Sequence, residues 1–385
     1  MQEEENRITP EEENAAIDEE INAIDQELER LNSNQISPNE KMKKKPEKQD
    51  GLMQALGLHR DKTGINNNPI FLKPSQIKNS KRDLSKVIKS GVDAMDKILI
   101  GFNPGELSIW SGSNGSGKSS ILSQIAIEGV NQNFNIALFS GELQSDRVLS
   151  WLQLQAAGKK HTKATQYENY YTIPDKIKQK INKWLDDKLY IYNNDYGTKV
   201  DGVLFAIKEN IEKNNINMVI IDNMMSLDLA GVSGEKYEKQ TSLVLALCEL
   251  AKQKKVHIHF VAHPRKSLGF LRKNDISGTA DITNAADNVF IVHRVNTDFK
   301  QSTKRDMGWK EDNPIYLCNF SNVIEICKNR DLGIADEFVG LHFEKESKRF
   351  LNNPNESKNY KWETDKNGFV KVNVEEDTPF GRVGE

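Results

Sequence analysis

The sequence predicts an α/β fold, a mostly parallel central sheet flanked by helices, across residues 83–352. Three observations predict it. Short apolar runs alternate with longer stretches of helical periodicity through this region. The runs are dense in Val, Ile, Leu and Phe rather than alternating with polar residues, as strands covered on both faces must be. A glycine-rich segment joins the first of the longer runs directly to a helical stretch.

The predicted strands are 107–111 (LSIWS), 136–140 (IALFS), 189–192 (LYIY), 218–222 (MVIID), 256–262 (VHIHFVA), 289–293 (VFIVH), 323–327 (VIEIC) and 340–344 (GLHFE). Helical patterns cover 117–131, 144–157, 175–187, 200–214 and 235–254. Hydrophobic residues make up 37% of the 385, enough for one sizeable core with appendages.

Composition changes outside this body. Residues 1–30 carry twelve acids and two bases, a local charge of −10 in a chain whose net charge is −3, so the remainder stands at +7. A basic body permits an anionic partner. Within 10–32, Ile17, Ile21, Ile24, Leu28 and Leu31 are spaced four, three, four and three, a heptad seam under acidic cover. Residues 1–35 therefore read as an acidic amphipathic helical leader able to form a short coiled coil. Residues 36–82 read as a basic and polar linker, with "KMKKKPEK", "TGINNNP" and one apolar segment, "GLMQALGLHRDK". Residues 353–385 read as a polar acidic tail.

Cys248, Cys318 and Cys327 lie in apolar surroundings without metal-ligand spacing, which fits small buried hydrophobes in a reducing cytosol. No apolar run reaches membrane-spanning length, and the acidic N-terminus is unlike a signal peptide. The expectation is a cytoplasmic protein with no membrane partner, in a bacterial or phage-infected cell.

The glycine-rich segment is Gly112-Ser113-Asn114-Gly115-Ser116-Gly117-Lys118-Ser119, with Ser120 following. It fits the phosphate-loop pattern G-x-x-x-x-G-K-[ST] and stands between strand and helix as that pattern requires. Glycines let backbone N–H groups surround phosphates, Lys118 supplies a charge to the β- and γ-oxygens, and Ser119 ligates magnesium. The predicted cofactors are ATP and Mg2+. Asp222, closing "MVIID", is placed to face that magnesium. Glu142, just past "IALFS", can polarise a water against the γ-phosphate; as an alternative it is an acid favoured by the following helix's N-terminus. His263, after "VHIHFVA", stands where a group could sense the γ-phosphate. Finally, "EICKNRDLG" ends an apolar run in two cations, Lys328 and Arg330, two residues apart.

With these motifs in order, the chain resembles the RecA-like motor of hexameric replicative helicases, the DnaB-like family and the helicase half of phage primase–helicases. The stretches that carry the resemblance are "SGVDAMDKILIGFNPGELSIWSGSNGSGKSS", "ALFSGELQSDRV", "MVIIDNM", "FVAHPRK", "DISGTADITNAADNVFIVHR" and "KNRDLG…GLHFEKESKRF". The resemblance implies that Glu142 is the catalytic glutamate, Asp222 the magnesium-associated aspartate and His263 the γ-phosphate sensor. It makes Arg330 an arginine finger, with Lys328 beside it, acting on nucleotide held by the adjacent subunit, and gives Arg294 a contact to base or ribose. It assigns segments 224–240 and 264–284 to the loops that hold single-stranded DNA, with Arg265, Lys266, Arg272 and Lys273 as phosphate contacts.

The function so implied is an ATP-dependent, ring-forming helicase that moves along single-stranded DNA and unwinds forked duplex. Its partners would be further copies of itself in a homo-oligomeric, hexameric ring, and replication proteins such as a primase, a loader or a polymerase. The alternative left open is a RecA-like DNA-dependent ATPase without unwinding activity, a strand-exchange protein or a loader-regulator.

Overall fold

The computed structural model describes residues 52, 71–77, 82–264, 270–276, 280–306 and 316–364. The heptad seam of the leader, Arg265 and Lys266, and the tail beyond 364 lie outside the described residues.

The chain runs through α1 (Asp93–Leu99), β1 (Leu107–Ser111), α2 (Lys118–Asn131) and β2 (Ile136–Ser140). Next come α3 (Ser145–Ala157), a small hairpin of β3 (Lys163–Ala164) and β4 (Tyr171–Thr172), α4 (Asp175–Leu185) and β5 (Leu189–Ile191). α5 (Val200–Asn214), β6 (Met218–Asp222), α6 (Lys236–Lys254) and β7 (His257–Val261) follow. The last group is α7 (Ala280–Ala285), β8 (Asn288–Arg294), α8 (Thr297–Asp306), β9 (Asn322–Asn329), β10 (Glu337–Glu344) and β11 (Arg349–Leu351).

Among the described residues nine strands form one sheet, ordered β11-β10-β9-β8-β1-β7-β6-β2-β5. From β8 to β5 neighbours are parallel; β9, β10 and β11 extend the sheet by antiparallel pairing. The mostly parallel sheet predicted from sequence is therefore present, with an antiparallel wing at one side. β1, β2 and β7 are buried at every position because helices cover both faces. On one face α1, α2, α3 and α4 pack with Trp110, Ile220 and Phe290; on the other, α5, α6 and α7 pack with Ile109, Ile221 and Phe260. α2 is buried almost all round, as a helix pressed between a sheet and a second helical layer must be. α4 shows a one-sided stripe instead: Ile177, Ile181 and Leu185 face inward and lysines face out.

Three features escaped the sequence reading. α1, α7 and α8 are too short or too polar for a clear period, and β11 has three residues. Leu52, within the apolar segment of the linker, is buried against the α5–α6 layer. The third concerns the domain's end, drawn from sequence at 352. Tyr360 and Trp362 are buried in the core beside α2, α3 and α4. The Tyr360 hydroxyl donates to Glu128 Oε1 at 2.9 Å, and the Trp362 indole N–H donates to the Ala156 carbonyl at 2.9 Å. Lys358 Nζ sits 2.6 Å from Glu128 Oε1. The polar composition of 353–364 hid two aromatic anchors in it.

Two histidines occupy the centre of the sheet. His257 Nδ1 donates to the Asn103 carbonyl (2.7 Å) and its Nε2 pairs with the Ser108 hydroxyl (2.8 Å), while His259 Nδ1 accepts from the Trp110 indole (3.0 Å). Burial pushes His257 down to about 4, and His259 also falls below its usual range. No helix among the described residues is long and apolar enough to cross a membrane.

Two outcomes are expected. Trp362→Ala should cost about 3–5 kcal/mol in urea unfolding, whereas Lys361→Ala, on the exposed side, should stay within about 0.5 kcal/mol. The second concerns acid. Folded His257 stays neutral down to about pH 4, but the unfolded ring takes a proton below 6.5. Stability is therefore intact above pH 6.5 and declines as pH falls towards 4, by at most about 3 kcal/mol from this ring. Unfolding midpoints between pH 7 and 5 should show the decline, and His257→Gln should flatten it.

Candidate nucleotide site

The site begins with what β1 does at its end. β1 lies between β7 and β8, so the loop leaving it is confined on both sides. Gly112 has φ of +148°, and a Cβ there would meet the Val292 carbonyl oxygen at 2.3 Å and Ser116 Oγ at 2.6 Å. Only glycine fits. Gly117 likewise has φ of +102°, and a Cβ would meet the Phe350 ring at 2.7 Å. The loop is then fastened from the antiparallel wing: Asn322 Nδ2 donates to the Ser116 carbonyl at 2.7 Å. Gln124 and the Phe350 backbone exchange two hydrogen bonds, at 2.7 and 2.8 Å, tying β11 to the helix that the loop opens.

The strand order brings the other groups into line. Reading across β8, β1, β7, β6 and β2, the C-terminal ends present Arg294, the loop, His263, Asp222 and Glu142. These five border one cleft of about 680 Å³. Neighbouring strands stand about 4.8 Å apart, so the row spans roughly 19 Å, the reach of an extended nucleotide and its attacking water.

Within the cleft, His263 Nε2 is 3.5 Å from Glu142 Oε1. The Asn223 amide donates to the same Glu142 oxygen, which fixes the carboxylate over the end of β6. Burial raises the Asp222 carboxyl above its ordinary range and the charge of Glu142 adds to that, opposed by the Ser119 hydroxyl bond, Lys118 and His263. Burial lowers the Lys118 ammonium, with Asp222 and Glu142 pulling it back up. Lys118 Nζ donates to the carbonyls of Gly112 and Ser113, at 2.7 and 3.0 Å, so it arches back over the loop.

The residues fit a bound nucleotide and its magnesium. Ser116 Oγ is buried without a hydrogen-bond partner inside a cradle that a Cβ would fill. Ser119 and Asp222 already share a hydrogen bond, the pair of oxygens a magnesium would take. At the outer end Phe343, half-buried, and Arg294, exposed, stand on neighbouring parts of the rim with Lys345. Sequence reasoning missed Asn223, Asn322, Phe343, Lys345 and Phe350. Phe343, Lys345 and Phe350 lie in "GLHFEKESKRF", and only the pairing of β10 and β11 turns them to the cleft.

Two predicted groups are not in this cleft. Lys328 and Arg330 end β9, which runs antiparallel to β8, so they emerge at the opposite edge of the sheet from the loop. Lys328 Nζ donates to the carbonyls of Thr283, Asn284 and Ala286, and Arg330 pairs with Asp287 at 2.8 Å and donates to the Asn284 carbonyl at 2.6 Å. The C-terminal end of α7 thus holds both cations. A bulge decides their face: Val289 pairs with Lys328 but Phe290 pairs with Ile326, so Cys327 is skipped. Ile324 and Ile326 stay in the α2 layer while Lys328 turns to α7.

The predicted DNA contacts divide too. Arg272, expected to meet DNA phosphates, is instead engaged with protein carboxylates, Glu325 at 3.6 Å and Asp336 at 3.8 Å. A buried carboxylate draws the nearest cation, and that outweighs surface position. Lys273 is half-buried in the same segment.

Fold and cleft together define a P-loop ATPase with a RecA-like sheet. Residues 87–352 match the DnaB-like helicase C terminal domain family, and the chain belongs to that family. It is an ATP-hydrolysing replicative helicase. Solved structures with the same fold include the ATPase domain of a DnaB-like replicative helicase, at TM-score 0.55 and 16% identity, covering 69% of this chain and 91% of that one. Another is a DnaB-like replicative helicase studied with its interactions with primase, at TM-score 0.54 and 16% identity. That match covers 69% of this chain and 61% of the helicase.

Gly112→Ala should lower affinity for a fluorescent ATP analogue by tenfold or more, since the alanine Cβ overlaps the Val292 carbonyl. Gly115→Ala, where a Cβ meets nothing within 4 Å, should cost only the left-handed backbone penalty of about 1–2 kcal/mol. Equilibrium binding of both variants checks the contrast.

Proposed function

We propose that this helicase hydrolyses ATP at contacts between its own copies, in a ring around single-stranded DNA. The observation that carries the reading is the row of Arg294, phosphate loop, His263, Asp222 and Glu142 on one edge, with Lys328 and Arg330 on the other. A cation pair at the far edge cannot serve its own cleft, so it is available to the cleft of a neighbour. A closed ring supplies that neighbour to every copy.

In each cleft the loop's N–H groups and Lys118 take the phosphates, and the base lies at the rim between Phe343 and Arg294. Ser119 and Asp222 would hold Mg2+, which when bound neutralises charge on the β- and γ-oxygens. Glu142, held by Asn223, accepts a proton from the attacking water and orients it in line with the γ-phosphorus. His263, 3.5 Å from that carboxylate, lies at the start of the 264–284 segment and links γ-phosphate occupancy to it. Arg330 from the next copy, with Lys328, stabilises charge that develops as the γ-phosphoryl leaves.

DNA would be gripped through its backbone by segments 224–240 and 264–284, with Lys273, Arg265 and Lys266 as cations, so binding is salt-sensitive and nearly sequence-independent. A primase, a loader and a polymerase are the replication partners this role calls for. Work at a replication fork and three free cysteines fit the cytosol.

Arg330→Ala should lower ATP turnover about a thousandfold or more while nucleotide binding stays within about threefold. Mixing it with Lys118→Ala protein should restore partial turnover in mixed rings; no effect of mixing refutes the shared site. Glu142→Gln should lower turnover about 10²–10⁴-fold without weakening nucleotide binding. Strand displacement on a forked substrate, with Lys118→Ala as control, separates a helicase from an ATPase that only translocates or exchanges strands.

A further inference from the structure

Glu325 is an unusual residue for its position. It sits in the middle of β9 with 1% of its surface exposed, five residues before Arg330. A carboxylate there must have partners, because an unpaired buried charge costs several kcal/mol. His293 on β8 supplies one, with Nε2 at 3.0 Å from Glu325 Oε2. Arg272 supplies the other, with Nη1 at 3.6 Å from Oε1. Arg272 does not belong to the sheet. It comes from the 264–284 segment, whose base is closed by the bridge between Pro264 and Ile276.

The same segment makes a second attachment beside the first. Phe270 is buried and lies flat on the His293 ring, 4.4 Å between centroids and 8° between planes. The Arg272 guanidinium stands over Phe270 at 5.7 Å, and Phe299 closes the stack at 5.5 Å from Phe270 and from His293. Phe270, His293, Glu325 and Arg272 are therefore one packed unit. It joins the segment following His263 to the strand that ends in Lys328 and Arg330.

We propose that Arg272 is a positioning residue that locks the DNA-holding segment to β9 through Glu325. Displacement of Arg330 on the neighbour's nucleotide then moves the segment in the same chain. This deepens the proposed function and rests on it. The coupling runs in two steps. β9 is rigid along its length because it is hydrogen-bonded on both sides, to β8 and β10. The buried carboxylate then transmits a shift of the strand to Arg272, since separating the pair strands a charge in the core. Arg272 thus acts on DNA through the protein, not by touching phosphate.

The test compares Arg272→Gln, Arg272→Lys, Glu325→Gln and the Arg272→Gln/Glu325→Gln double variant in the full chain. The readouts are ATP turnover with and without a single-stranded oligothymidine, oligonucleotide affinity across a salt series, and thermal unfolding. Expected is a loss of about tenfold in DNA-stimulated turnover for Arg272→Gln and for Glu325→Gln, with the double no worse than either. Basal turnover and the slope of log affinity against log salt should stay as in the unaltered protein. Arg272→Lys should recover only part of the stimulation, because an ammonium lacks the planar fork. The proposal is overturned if Arg272→Gln lowers the salt slope by about one while Glu325→Gln is silent, which marks a phosphate contact. It is equally overturned if single losses add, or if stimulation is unchanged in both. Should Glu325→Gln fail to fold, the half-exposed Arg272 variants decide through slope and stimulation alone. An unaltered protein that binds no oligonucleotide refutes the DNA role itself and this coupling with it, a result separate from failure of the variants.

Discussion

The structure depends on how tightly β1 is flanked. With β8 on one side and β7 on the other, the loop at the end of β1 has room only for backbone, and Gly112 is pressed against the Val292 carbonyl. Confinement orients the loop's N–H groups before any phosphate arrives, so little conformational entropy remains to be lost on binding. The antiparallel wing completes that confinement: Asn322 holds the Ser116 carbonyl and Phe350 closes over Gly117. A wing that adds nothing to the catalytic row therefore helps to set the geometry of the loop.

The same strand order distributes chemistry between two edges. Parallel strands point all their C-terminal ends one way, which gathers Arg294, His263, Asp222 and Glu142 beside the loop. The reversal at β9 sends its own end to the opposite edge. The bulge at Cys327 then turns Lys328 out of the α2 layer and onto α7. Within one chain those cations cap helix carbonyls, a favourable place for positive charge, and α7 holds them in a fixed direction. A helicase that hydrolyses only between subunits needs that arrangement, because an isolated copy then lacks half of its active site.

Much of this was legible in the sequence. The phosphate loop reads directly because few residue combinations satisfy strand, tight turn and helix N-terminus together. Glu142, Asp222 and His263 read as strand-end residues because each follows an uninterrupted apolar run, and all three border the cleft with the loop. Short elements gave weaker signals. The three residues of β11 and the six of α7 do not complete a period, and Tyr360 and Trp362 stood in a segment whose average was polar.

What the sequence by itself determined is local: which runs form strands, where a phosphate can sit, and which carboxylates stand nearby. Those follow from side-chain periodicity and from glycine's freedom at positive φ. Tertiary structure alone decided the partners. Arg272 looks like a surface cation until Glu325, fifty-three residues away in the chain, turns out to be buried beside it. Lys328 and Arg330 do point one way, as their spacing said, but the bulge chooses which face. Sequence spacing carries direction along a strand; only the packed sheet says what that direction meets.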